Sequence, residues 1–229
     1  MQTSPLDHLA IIMDGNRRWA AERGQLSMQG HQAGYERLKE VGDLCLARGI
    51  KVLTVFAFST ENWKRTEEEV GFLMDLLERA LTEELNNFNG KGVRLKILGR
   101  REGLRPSVLH AIETAEETTK NNERATFAIC INYGGRTEIV DACRAIVKDG
   151  LPVDDVTEEA LTARMYWPEM PVPDLVIRTS GEERTSGFLA WESAYSELYW
   201  SEKKWPDFDE QELDRALEEF ATRKRRFGK

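Results

Sequence analysis

Two periodicities alternate along this chain, and that alternation limits its fold more than any other feature. Short apolar or β-branched runs at residues 9–13, 52–58, 93–98, 126–131 and 175–177 are separated by longer stretches whose apolar residues return at helical spacing. Strands that alternate with amphipathic helices build βαβ units, which close into a mostly parallel sheet. The chain is therefore predicted to be α/β, a single domain over residues 1–229 with a mostly parallel central sheet flanked by helices on both faces. In such sheets ligands sit outside the carboxyl ends of the strands. The residues that follow each run are where chemistry is expected.

Helix stops and caps set the spacing between the runs. A short helix after Arg17 and Arg18 ends near Gly24, residues 25–29 form a polar connection, and a second helix covers about 30–48 with Gly49 as its stop. His31 falls in its first turn, where histidines are more often solvated than ligand-binding. Thr66 with Glu69 reads as a capping box. It opens one long helix whose stripe includes Val70, Leu73, Leu77, Leu81, Leu85 and Phe88. Such a stripe packs a core first, and one face of it can also wall an apolar tunnel between sheet and helices. Further helices are predicted over about 106–121, 139–149 and 157–164, and a last one capped by Asp209.

Composition narrows the function. Apolar residues make up 41% and charged residues 31%, ordinary for a globular chain, and the net charge of −8 argues against a nucleic-acid partner. An anion site must then be a local cluster of arginines. Cys45, Cys130 and Cys143 lie far apart in apolar segments and read as reduced core thiols rather than disulfide or zinc ligands. No segment reads as a signal peptide or a membrane span, so a cytoplasmic protein is expected.

The first run stops at Asp14-Gly15-Asn16, and Arg17-Arg18 follow. By itself the tripeptide is a common strand-to-helix turn. It also sets a carboxylate beside free helix N–H groups, a corner able to hold a metal ion at Asp14 and a phosphate at Gly15, Asn16, Arg17 and Arg18. The second run ends at Ser59-Thr60-Glu61-Asn62-Trp63-Lys64-Arg65, and the run at 175–177 ends at Arg178. Topology thus gathers Asp14, Glu197, Arg17, Arg18, Arg65, Arg178 and Arg184 at one rim, with Ser59, Asn62 and Ser186 as neutral donors. Arginine forks match phosphate oxygens, and their number here suggests two phosphorylated groups. Neither a Walker sequence nor G-x-G-x-x-G is present, so a nucleotide is not indicated. Phe56, Phe58 and Phe127, with Trp19, Trp63 and Trp191, would supply an apolar throat suited to a hydrocarbon tail on a diphosphate head.

In order along the chain stand residues 8–20, Gly30-His31, residues 59–65, Asn132-Tyr133-Gly134-Gly135-Arg136, residues 174–184 and Glu197. Through these motifs the chain closely resembles the cis-prenyltransferases, also called undecaprenyl diphosphate synthase-like or Z-isoprenyl diphosphate synthases. No D-D-x-x-D stretch of the all-helical trans enzymes occurs. The resemblance implies joining of isopentenyl diphosphate to an allylic diphosphate with a new cis double bond. It implies Mg²⁺ at Asp14, with Glu197 as a second metal-site carboxylate. Gly15, Asn16, Arg17, Arg18, Trp19 and His31 would meet the allylic diphosphate. Arg178, Arg184, Thr185 and Ser186 would hold isopentenyl diphosphate. Ser59, Thr60, Glu61, Asn62, Trp63 and Arg65 would lie between, with Asn62 at the proton-removal step. A homodimer is also implied, with Arg226-Phe227-Gly228 near the partner's site, and a long product would bring transient membrane contact.

Three positions depart from the family pattern: Ser27 where long-chain members carry arginine, Glu183 where others show histidine, and Ala190 where leucine is common. Two rival readings remain open. Some relatives are non-catalytic partner subunits, which are expected to lack the Asp14-type acid that this chain keeps. Others couple two allylic diphosphates irregularly, as lavandulyl-type enzymes do. Product length is expected to be set by a bulky side chain that blocks the tunnel, either Phe127 on the fourth strand or a residue of the Val70 to Phe88 helix, and Phe127 is expected to limit the product to a short or medium chain.

Overall fold

The computed structural model describes residues 6–223. The elements run β1 (His8–Ile12), α1 (Asn16–Glu22), α2 (Ser27–Ala47), β2 (Val52–Ser59), α3 (Glu67–Glu83), α4 (Leu85–Gly90) and β3 (Val93–Leu98), followed by α5 (Pro106–Thr119) and β4 (Ala125–Tyr133). Then come α6 (Gly135–Asp149), α7 (Glu158–Thr162), β5 (Leu175–Arg178), β6 (Glu197–Trp200) and α8 (Glu210–Thr222). The six strands form one sheet in the order β3-β4-β2-β1-β5-β6, and every pairing is parallel. All six carboxyl ends therefore open on the same rim, and β1 lies inside the sheet between β2 and β5.

Strand alternation sorts the core into two layers. Leu9 and Ile11 face one side and Ala10 and Ile12 the other. Leu9 and Ile11 are fully buried, each such side chain being worth about 1.5–3 kcal/mol. The first layer packs under α2, α3, α5 and α8, through Val41, Leu73, Ile112 and Leu213 among others. The second layer is smaller. Besides α6, with its buried Ala142 and Ile146, it is covered by the irregular chain carrying Tyr166, Trp167, Phe188 and Leu189. Helical cover is thus heavier on one face than the alternation alone implies.

Several local expectations change. The long helix breaks at Glu84 into α3 and α4, and the capping box is half made. Thr66 Oγ1 accepts the Glu69 N–H, while the Glu69 side chain turns inward to other partners. α2 begins at Ser27 and absorbs part of the polar connection. Cys143 is exposed on α6, unlike the buried Cys45 and Cys130. In β2 the register to β4 slips between Phe56 and Phe58, a bulge that turns both Ala57 and Phe58 toward the α2–α3 face.

One close approach fixes the geometry of the rim. A Cβ on Gly30 would come within 2.1 Å of the Asn16 carbonyl oxygen, so α2 rides directly on the first turn of α1 through a glycine.

Candidate functional site

Asp14 stands two residues beyond β1. Its Oδ1 accepts the Gly15 N–H at 2.7 Å, and its Oδ2 accepts Arg178 Nη2 at 2.8 Å, with Arg18 Nη2 at 3.4 Å. Gly15 holds φ at 102°, and a side chain there would meet Ser180 Oγ at 2.8 Å. The Asp14 carbonyl is fixed in turn by Thr179 Oγ1 at 2.7 Å and the Trp205 N–H at 2.9 Å. Arg178, at the end of β5, is 5% exposed. It donates from Nη1 to the Arg184 carbonyl at 2.5 Å and to Ser186 Oγ at 2.8 Å, and its Nε is buried without a partner. Glu182 joins Arg18, at 2.8 Å, to Arg184. The early acid and the late arginines therefore form one connected network.

A second network lies across the rim. Glu69 Oε1, in the first turn of α3, accepts His31 Nε2 at 3.0 Å and Arg65 Nη1 at 2.9 Å, with Arg17 Nε at 3.7 Å. Burial foremost, with the Arg65 and Arg17 charges also opposing a cationic ring, holds the His31 imidazole below its ordinary value despite the Glu69 hydrogen bond. Burial would raise the Glu69 carboxyl, but the His31 hydrogen bond and the two guanidinium charges outweigh it, and the net shift is downward. Contrary to the solvated reading, His31 is buried.

Asp14, Gly15, Asn16, Arg17, Arg18, His31 and Arg65 line one pocket of about 550 Å³. Met13, Asn16 and His31 also belong to the wall of an apolar cavity of about 170 Å³ between the sheet and α2–α3. Leu38, Leu53, Ala57 and Leu77 line that cavity, and at Phe88 and Phe127 the two rings stand 5.6 Å apart.

Of the six aromatics expected around the throat, Phe127 alone lines the cavity. Phe56 stacks on Phe188 at 4.9 Å on the other face of the sheet, and Phe58 packs edge-on to Trp63 at 5.0 Å. Trp19 Nε1 donates to Asp207, and Trp191 Nε1 donates to Thr162 Oγ1. Ser59 ends β2, and its N–H donates at 2.9 Å to Oδ1 of Asn62 in the 3₁₀ turn that follows. Thr60, Glu61 and Trp63 lie in the same turn, where Trp63 Nε1 donates to Asn132 Oδ1 at 2.7 Å. Thr185 starts the turn that carries Ser186, its carbonyl accepting the Phe188 N–H.

Glu197 is a correction. It pairs with Leu175 at the start of β5, whereas Ile12, just before Asp14, pairs with Arg178 at its end. Three residues of strand, about 10 Å, separate the two levels, so within one chain Glu197 cannot share an ion with Asp14. It holds Arg223 at 2.8 Å instead. Sequence reasoning in turn missed Glu69, Glu182 and Asn132. Glu69 carried a signal, an acid four residues after Arg65 in a first helical turn. Asn132 stood in a motif at the end of the fourth strand, but nothing in that motif gave it a role. It adopts φ 50° and donates from Nδ2 to the carbonyls of Arg100 and Glu102.

Comparison with known proteins agrees with this arrangement. A family model described as putative undecaprenyl diphosphate synthase matches residues 12–228. The isoprenyl transferase of Thermotoga maritima is 51% identical over 224 residues, 96% of this chain and 96% of that protein. The isoprenyl transferase of Neisseria gonorrhoeae is 46% identical, covering 97% and 89%. Among solved structures, lavandulyl diphosphate synthase from Lavandula x intermedia, in complex with dimethylallyl diphosphate, superposes with a TM-score of 0.92 at 35% identity over 97% and 98% of the two chains. A probable undecaprenyl diphosphate synthase from Campylobacter jejuni gives 0.82 at 34% over the full length of both. With an Asp14–Arg178 rim, an all-parallel sheet and relatives at this level, the chain belongs to the cis-prenyltransferase family, the family of the undecaprenyl diphosphate synthases, and is a prenyl transferase.

Proposed function

We propose that this protein condenses isopentenyl diphosphate with an allylic prenyl diphosphate, in a Mg²⁺-dependent reaction, to give a Z-polyprenyl diphosphate. The observation that carries this reading is the guanidinium-lined rim pocket around Asp14 sharing Met13, Asn16 and His31 with an apolar cavity. One compartment suits a diphosphate and the other a hydrocarbon chain.

In this reading Arg17, Arg18, His31 and the N–H groups opening α1 bind the allylic diphosphate. Arg178, Arg184 and Ser186 bind isopentenyl diphosphate, with Arg65 between the two. The departing diphosphate gains negative charge as its C–O bond breaks, and cations already in place stabilise that change without rearrangement. An amide is too weak a base to remove a proton alone. Asn62, fixed by the Ser59 N–H, therefore acts at the proton-removal step by positioning.

Among the described residues no three His, Cys, Asp or Glu side chains cluster as a ready metal cage. Magnesium commonly takes one or two carboxylates and completes its shell with water and substrate phosphates, which a lone Asp14 among arginines fits. When bound, the ion would neutralise diphosphate charge. We also propose a homodimer. The Arg226-Phe227-Gly228 segment, expected near the partner's site, lies outside the described residues. No helix among the described residues is long and apolar enough to cross a membrane, so release of a long product would use transient contact.

The non-catalytic reading is disfavoured by the intact Asp14–Arg178–Ser186 network. Irregular coupling is disfavoured by relatives at 44–51% identity named isoprenyl transferase, against 35% for the lavandulyl enzyme. Incubation with radiolabelled isopentenyl diphosphate, Mg²⁺ and allylic primers of graded length tests the proposal. Label should enter a product longer than its primer. Product formed from allylic diphosphate alone would show irregular coupling. Phe127→Ala should lengthen the product, and an unchanged distribution would remove Phe127 as the stop.

A further inference from the structure

Glu69 is nearly buried, and one of its oxygens serves three basic groups delivered by three segments. A carboxylate only accepts hydrogen bonds, so the His31 nitrogen facing it, Nε2, must carry a hydrogen. Arg65 Nη1 also approaches Nε2, at 3.5 Å, but a guanidinium cannot accept. In the neutral ring the remaining nitrogen, Nδ1, is then a bare acceptor. Among the described residues Nδ1 makes no hydrogen bond, and the ring is part of the wall of the rim pocket beside Arg17 and Arg65.

A phosphate oxygen arriving there is an acceptor as well, so acceptor would face acceptor unless a proton stands between them. We propose that His31 is neutral in the empty site and takes up one proton from solvent on Nδ1 when a diphosphate binds, while Glu69 holds Nε2–H throughout. This rests on the reading of the rim as a diphosphate site.

The charged groups facing the ring are Glu69 from α3, Arg65 from the segment before it and Arg17 from α1. In the empty site the two arginines and burial oppose a second proton. A bound diphosphate neutralises those arginines and adds its own negative charge, which reverses the balance. Glu69 then becomes the counter-ion of an imidazolium, and the Nδ1–H points its hydrogen at an oxygen whose charge rises as the allylic C–O bond breaks. Glu69 is thus a positioning residue and His31 the group that meets the ligand.

The chain has three histidines, so ring nitrogen signals can be assigned with His31→Asn as reference. The test follows the His31 ring by ¹⁵N NMR at pH 7.5 in wild-type and Glu69→Gln protein, with inorganic pyrophosphate added in the absence of metal. In free wild type His31 should be neutral with hydrogen on Nε2. Saturating pyrophosphate should convert it to imidazolium, which at this pH takes a rise in its midpoint of about two pH units or more. In Glu69→Gln the ring should stay largely neutral, and KM for the allylic diphosphate should rise about tenfold with that for isopentenyl diphosphate unchanged. Pyrophosphate binding to wild type with His31 still neutral would overturn the proposal and leave the diphosphate site standing. Failure of pyrophosphate to bind at all would overturn both. The wild-type titration is decisive even if Glu69→Gln does not fold.

Discussion

Asp14 and Glu69 are two carboxylates facing arginines across one pocket, and they are held in opposite ways. The Asp14 side chain is 31% exposed and shares its oxygens among a backbone N–H, Arg178 and Arg18. Glu69 is 7% exposed and gives one oxygen to His31, Arg65 and Arg17. An acid that water can still reach can exchange a guanidinium for a metal ion or a substrate-bound cation. An acid enclosed by its partners can only keep them in place. The difference assigns chemistry to the first region and alignment to the second.

The largest effect separating the two regions is expected from Arg178→Met. It removes the partner of Asp14 and the donor to Ser186 and the Arg184 carbonyl, so kcat/KM for isopentenyl diphosphate should fall on the order of a hundredfold or more, read by initial rates. A loss of only a few-fold would mean that Asp14 is held by other groups. Gly30→Ala strikes the contact beneath both regions. Its Cβ meets the Asn16 carbonyl, and chemical denaturation should show a loss of about 1–3 kcal/mol. Unchanged stability would mean that α1 and α2 are free to part.

A third carboxylate, with no cation beside it, sharpens the contrast at a smaller scale. Glu192 Oε2 is buried without a partner. Burial first, and then neighbouring Glu138, push its carboxyl up to about 7. Glu138 is itself raised by burial, although Tyr133 OH donates to it at 2.5 Å and the Tyr166 N–H at 2.8 Å. An acid raised on folding favours the folded state fully below its unfolded value, and that advantage is lost as pH rises through about 7. Glu192→Gln should therefore stabilise the protein above pH 7, on the order of 1–3 kcal/mol, and change little near pH 4. Melting curves across pH check it, and parallel wild-type and variant profiles would show Glu192 to be solvated.

The sheet was legible because β1 lies between two strands and must bury both faces, which makes residues 9–12 uniformly apolar. The rim was legible because parallel strands send all their carboxyl ends one way. Glu197 was misplaced for a related reason. A four-residue edge strand has a beginning and an end only about 10 Å apart, and sequence spacing does not tell which end an acid occupies. Phe56 was misplaced because side-chain direction flips at every strand residue. Trp19, Trp63 and Trp191 lie off the strands, where their indole N–H groups are taken by Asp207, Asn132 and Thr162. Glu69 was hidden by a competing local role. The capping pattern explained its presence, and only tertiary packing of α2 against α3 shows that its side chain serves His31 and Arg65 instead.

The exposed acid is where a single substitution decides most. Asp14→Ala, with its fold verified, should incorporate isopentenyl diphosphate at a rate lower by on the order of a hundredfold or more under saturating substrates and Mg²⁺. Wild-type turnover by Asp14→Ala would show that the carboxylate at the end of β1 takes no part in the transfer.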